Sequence, residues 1–75
     1  MHIDQELDAR GLNCPMPILR TRKAMGALTS GQVLRVVATD PGSVKDMEAY
    51  CRQTQAELLE AGQQEGAFVF VLRKQ

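Results

Sequence analysis

The sequence predicts an α+β sandwich, with two helices laid on one face of a sheet. Three observations predict it. Gln32 to Thr39 and Ala67 to Arg73 are dense in β-branched and aromatic residues, as buried strands are. Two stretches with apolar residues at helical spacing, Pro15 to Leu28 and one starting at Ser43, stand apart from them in the chain. Finally, 75 residues make a single domain, and one this small buries only roughly 60% of its unfolded surface. That leaves room for two layers and one surface site, not for a deep cavity.

The elements follow in order. Ile3, Gln5 and Leu7 alternate with Asp4, Glu6 and Asp8, which predicts a short first strand. Ala9 to Asn13 is a loop containing Gly11. From Pro15 to Leu28, an apolar stripe of Ile18, Met25 and Leu28, with Leu19 beside it, predicts a helix whose Arg20, Arg22 and Lys23 point elsewhere. Thr29-Ser30-Gly31 ends it. Gln32 to Thr39 reads as the most buried strand, and Asp40-Pro41-Gly42 as a turn. Ser43 and Asp46 form a capping-box-like pair opening a second helix, with Val44, Met47 and Cys51 on one face. Gly66 precedes a final strand that turns Phe68, Phe70 and Leu72 to one side and Val69 and Val71 to the other. Thr54 to Gln63 reads two ways. Its Gln-Ala-Glu-Leu-Leu-Glu-Ala composition favours continuing the helix to about Ala61. The alternative is a strand from Glu57 that pairs with the last one through a Gln64-Glu65-Gly66 turn.

Composition excludes several functions. Nine basic and nine acidic side chains cancel, so no electrostatic grip on nucleic acid is expected. Two cysteines and one histidine are too few for a disulfide framework or a standard structural zinc site, and no metal or other cofactor is expected. The longest apolar run, Ala67 to Leu72, falls far short of a membrane span, and Met1 to Glu6 lacks a basic region followed by an apolar one. The expected compartment is therefore the cytoplasm, where thiols stay reduced.

Chemistry is expected at Cys14, in the run Arg10-Gly11-Leu12-Asn13-Cys14-Pro15-Met16-Pro17. Pro15 suits the first position of a helix, because its φ is already helical and its missing N–H would have no partner there. Cys14 then falls at the cap, where free N–H groups and the helix dipole favour an anion. A thiolate is one, so a modestly lowered pKa is expected. Pro15 and Pro17 lack N–H groups, which leaves Met16 as the one early donor and makes the prolines a stiff mount. Arg10, Arg20, Arg22 and Lys23 form a candidate basic collar that would steer an acidic partner surface. Gly11 is expected to permit a tight loop, and Asp8 to brace it. Cys51 falls on the core stripe of the second helix, and His2 lies at the chain terminus, so neither is expected to assist Cys14.

The run Leu7-Asp8-Ala9-Arg10-Gly11-Leu12-Asn13-Cys14-Pro15-Met16-Pro17 resembles the signature of the TusA/SirA sulfur-carrier family, small proteins with a Cys-Pro-x-Pro motif after an Asp-x-x-Gly-Leu loop. The resemblance covers nearly the whole chain, including Asp40-Pro41, Asp46 and Leu72-Arg73-Lys74. One departure is Glu48 after Met47, where many members have a proline; it implies a more regular start to the second helix. The resemblance implies a two-layer α/β sandwich of order β-α-β-α-β-β, two helices on one face of a four-stranded mixed sheet, and so assigns Glu57 to Gln63 to a strand. It implies a single sulfur-carrier domain over residues 1–75 that accepts sulfane sulfur as a persulfide on Cys14. Asp8, Arg10, Gly11, Pro15 and Pro17 would support the motif. The implied partners are a cysteine desulfurase or other donor and a downstream acceptor protein, in tRNA thiolation, molybdenum cofactor metabolism or sulfur oxidation.

Two other readings compete. One is a non-catalytic regulatory or RNA-binding module, since the same element order resembles the C-terminal domain of a bacterial translation initiation factor. Zero net charge, and Tyr50, Phe68 and Phe70 as the only aromatics, count against it. The other is a thiol redox sensor with a Cys14–Cys51 disulfide.

Overall fold

The computed structural model describes residues 2–75. The chain runs β1 (Gln5–Ala9), α1 (Met16–Gly26), β2 (Val33–Ala38), α2 (Ser43–Thr54), β3 (Glu57–Gln64) and β4 (Ala67–Arg73). The sheet order is β1-β2-β4-β3. β1 and β2 are parallel, which requires a crossover, and α1 supplies it. β4 lies antiparallel between β2 and β3. This is the four-stranded mixed sheet with two helices that was expected.

Strand alternation sorts the side chains. Gln5, Leu7 and Ala9 stand beside Leu34, Val36 and Ala38, which in turn stand beside Leu72, Phe70 and Phe68. All but the exposed Gln5 are apolar, and they share the face that meets the helices. Leu34, Val36, Phe70 and Leu72 are fully or almost fully buried there, together with Met47 of α2 and Met25 of α1. Cys51 and Tyr50 belong to the same core. The opposite face is uncovered and carries the ion pairs Arg35–Glu6 and Arg73–Glu57.

Several local expectations need correction. α1 runs from Met16 to Gly26, shorter than Pro15 to Leu28, with Pro15 at its cap and Pro17 inside the first turn. Leu19 is about half exposed and not part of the core stripe. The Ser43/Asp46 capping box does not form. Gly42 is the cap residue of α2, and Ser43 points its hydroxyl back to the Asp40 carbonyl at 2.7 Å. That frees the Asp46 carboxylate for another partner.

β3 ends in a two-residue hairpin. Gln64 pairs with Ala67, and Glu65 and Gly66 between them both have positive φ, 52° and 81°. This is the conformation that matches strand twist and that glycine adopts without strain. Lys74 locks the other end of the molecule. Its ammonium donates to the carbonyls of Met25 and Leu28 at 3.0 and 2.7 Å, at the negative end of α1.

Candidate functional site

Because β1 and β2 are parallel neighbours, ending together at the Ala9–Ala38 pair, the loops that leave them start side by side. Each loop then enters a helix, so the first turns of α1 and α2 meet at the same end of the sheet. Two hydrogen bonds stitch the loops. Gly11 N–H donates to Thr39 Oγ1 at 2.9 Å, and Cys14 N–H donates to Asp40 Oδ2 at 3.2 Å. Gly11 has φ +80°, a conformation side chains rarely adopt, so the tight loop expected there is present.

Asp8 braces the same loop. Its carboxylate accepts from the Arg10 backbone N–H at 3.1 Å and from two guanidinium nitrogens at 2.9 and 3.1 Å. These bonds, the side-chain ones first, hold the Asp8 carboxyl at about 2, below its ordinary 3.8. The folded value lies below the unfolded one, so this contribution is complete above about 4 and is lost as pH falls toward 2. A carboxyl titration by NMR should place Asp8 near 2 in the wild type, and Arg10→Ala, which keeps only the backbone N–H bond, should raise it toward the ordinary aspartate value. A wild-type midpoint near 4 would show that the brace does not persist in solution.

Cys14 is exposed at the junction of the loops. It lies one residue before the Pro15 cap, and the peptide bond between the two is cis. The one early donor left by the prolines, Met16 N–H, is taken by the Asn13 carbonyl at 2.8 Å. The sulfur instead donates to Asp46 Oδ2 at 3.6 Å. The lowered pKa expected for Cys14 is therefore wrong in sign. Its thiol is pushed up, because neighbouring atoms take water from the sulfur and because the carboxylates of Asp46 and then Asp40 disfavour a thiolate.

Two of the basic residues have partners of their own. Arg10 is tied to Asp8, and Arg22 stacks on the Tyr50 ring, 5.3 Å from its centroid. Arg20 and Lys23 are exposed on α1. Cys51 is buried in the core, so the two thiols differ sharply in access. His2 pairs with Asp4 at 3.0 Å. Among the described residues no group of three or more His, Cys, Asp or Glu is arranged to hold a metal, and no helix is long and apolar enough to cross a membrane. A groove of about 540 Å³ lies on the open sheet face, with Asp8, Arg10 and Thr39 in its wall, but Cys14 is not part of it.

Sequence reasoning missed Asp40 and Asp46 as partners of Cys14, reading them as a turn residue and a cap. The available signal was topological: both follow β2, and a parallel β1–β2 pair brings that loop to the Cys14 loop.

Comparison with known proteins adds three findings. The family model described as sulfurtransferase TusA matches residues 5–74. The sulfur carrier protein TusA of Allochromatium vinosum is 59% identical over 71 residues, covering 95% of this chain and 93% of that protein. The sulfur carrier protein TusA of Pseudomonas entomophila is 39% identical, covering 95% and 89%. In fold, a crystal structure of a SirA-like protein from Desulfitobacterium hafniense superposes with a TM-score of 0.82 at 22% identity, covering 92% of this chain and 95% of that one.

Proposed function

The chain belongs to the TusA sulfurtransferase family, and on that premise we propose that it is a sulfur carrier that holds sulfane sulfur as a persulfide on Cys14. The single observation that supports Cys14 is its exposure at the end of two loops while the other thiol, Cys51, is buried in the core.

The step needs one accessible sulfur nucleophile and no cofactor. The Cys14 thiol loses its proton and attacks the outer sulfur of a donor protein's persulfide. A sulfur–sulfur bond forms on Cys14, the donor's own sulfur–sulfur bond breaks, and the donor cysteine leaves as a thiolate with the electron pair. An acceptor protein's thiolate then attacks the same outer sulfur, and Cys14 is the leaving group. A cysteine desulfurase is a suitable donor, because its active cysteine carries such a persulfide. A thiol exposed at the junction of two loops suits both encounters, since each partner must bring its own cysteine to bonding distance. The redox-sensor alternative is disfavoured by the burial of Cys51 in the core while Cys14 is exposed.

Incubation with a cysteine desulfurase and cysteine, followed by intact-protein and peptide mass spectrometry, tests this reading. The expected result is a gain of about one sulfur, removed by reductant, on the peptide containing Cys14. A gain mapped to Cys51, or none, overturns it.

A further inference from the structure

Two carboxylates, one from the loop after β2 and one from the first turn of α2, hold Cys14, the first by its backbone and the second by its sulfur. Asp40 Oδ2 accepts from the Cys14 N–H at 3.2 Å, and Asp46 Oδ2 accepts from the thiol at 3.6 Å. Their positions are set by a stiff helix start. Ser43 anchors both its N–H and its hydroxyl on the Asp40 carbonyl, at 3.0 and 2.7 Å. Asp46 N–H donates to the Gly42 carbonyl at 3.2 Å, which places the residue in the first turn of α2, where the dipole favours an anion. Among the described residues, the ion pairs involve Asp4, Asp8, Glu6 and Glu57, never Asp40 or Asp46. The carboxylate beside the sulfur is thus in no ion pair, and Arg10 in the Cys14 loop is already tied to Asp8.

We propose that Asp46 is a positioning residue for sulfur transfer: its carboxylate takes the thiol's hydrogen bond, aims the Cys14 sulfur, and makes Cys14 a retentive carrier whose sulfur–sulfur bond is slow to break. The direction follows from the leaving group. On release, an attacking thiolate bonds to the outer sulfur, the bond to Cys14 breaks, and its electron pair stays on Cys14. The new thiolate forms beside the Asp46 and Asp40 carboxylates, which oppose it. A more basic thiolate leaves more slowly. Protonation from solvent then restores the thiol and its bond to Asp46. The raised thiol pKa has the sign this requires. Retention would protect the cargo from small cellular thiols while leaving transfer to a docked acceptor, which supplies proximity that a free thiol lacks. The release half of this inference rests on the persulfide reading; the effect of Asp46 on the thiol does not.

The test has two arms. In the first, alkylation of Cys14 by iodoacetamide is followed against pH by peptide mass spectrometry in wild type, Asp46→Asn and Asp46→Glu. Asp46→Asn should move the rate midpoint to lower pH and raise alkylation at neutral pH several-fold, and Asp46→Glu should restore the wild-type direction. In the wild type alone, added salt should lower the midpoint, because it screens a carboxylate's repulsion of the thiolate. That measurement stands even if a variant fails to fold. A midpoint unmoved by the Asn variant, or raised by salt, overturns the role of Asp46. In the second arm, sulfur-loaded protein is treated with dithiothreitol, and Asp46→Asn should release its sulfur several-fold faster than wild type. A shifted midpoint with unchanged release overturns retention. If the wild type takes up no sulfur, the persulfide reading and retention both fall, while the alkylation arm still decides whether Asp46 governs the thiol.

Discussion

Cys14→Ala is expected to lose all sulfur uptake from a cysteine desulfurase while unfolding at nearly the wild-type temperature. The loss should be complete because the other sulfur nucleophile, Cys51, is buried in the core. Stability should hold because the Cys14 side chain is exposed and makes one hydrogen bond, a long one to Asp46. Exposed substitutions of this kind change stability by about 0.5 kcal/mol or less, or about 3 °C in a domain this small. The Asp46 carboxylate would lose a thiol that competes with water for it, while Asp40 keeps the Cys14 N–H, so the change is small. Cys14→Ser sharpens the test. Its hydroxyl can keep the bond to Asp46 but cannot form a persulfide, so it should preserve the local geometry and still carry no sulfur. Residual uptake by either variant would place the acceptor sulfur on Cys51. A melting temperature lowered by 10 °C or more, against about 4–8 °C per kcal/mol, would make Cys14 a structural residue.

What the sequence made legible divides along one line: contacts between chain neighbours could be read, and contacts set by tertiary pairing could not. β4 was plain because Phe68, Phe70 and Leu72 alternate with Val69 and Val71, and it spans Ala67–Arg73 as expected. β3 was not, because Glu57 to Ala61 has helical composition. Its strand conformation comes from pairing with β4, where Leu58 stands beside Leu72 and Ala61 beside Phe70. The register shift between Leu58 and Glu60 also breaks the alternation that would have marked a strand. Only the family resemblance decided the segment correctly. At the candidate site, the place of Cys14 just before a proline-started helix was legible from the sequence, but the sign of its electrostatics was not. Two of the cations near it in sequence, Arg10 and Arg22, are drawn off to Asp8 and Tyr50. The carboxylates that act on it lie 26 and 32 residues further along the chain. Sequence distance was a poor guide to field, because a parallel strand pair brings two remote loops together.

The largest effect on stability is expected at Phe70. It is the largest of the fully buried side chains, at 1% exposure. It stands beside Val36 of β2 and Ala61 of β3, so it lies in the middle of the sheet and under the helices. Removing a buried phenylalanine side chain leaves a cavity and costs about 3–5 kcal/mol. At about 0.05–0.15 kcal/mol per residue, a 75-residue domain holds roughly 4–11 kcal/mol in all. Phe70→Ala should therefore bring the protein close to its unfolding midpoint, as measured by urea denaturation. Phe70→Leu, which leaves most of the volume filled, should cost about 1.5 kcal/mol or less. Equal losses for the two variants would mean that the cavity is not what matters. The two thiols give an independent readout. Cys51 is 8% exposed and packed in the same core, so alkylation reaches it only when the fold opens, and its rate tracks the open population. In Phe70→Ala the Cys51 rate should rise steeply. The Cys14 rate should rise much less, through loss of Asp46 and Asp40 as neighbours and not through access. A parallel rise of both thiols would mean that the Cys14 loops are shielded by the same packing as the core, contrary to the exposed site described above. Independent behaviour would show that the sulfur is presented on a loop pair whose accessibility owes nothing to opening of the domain.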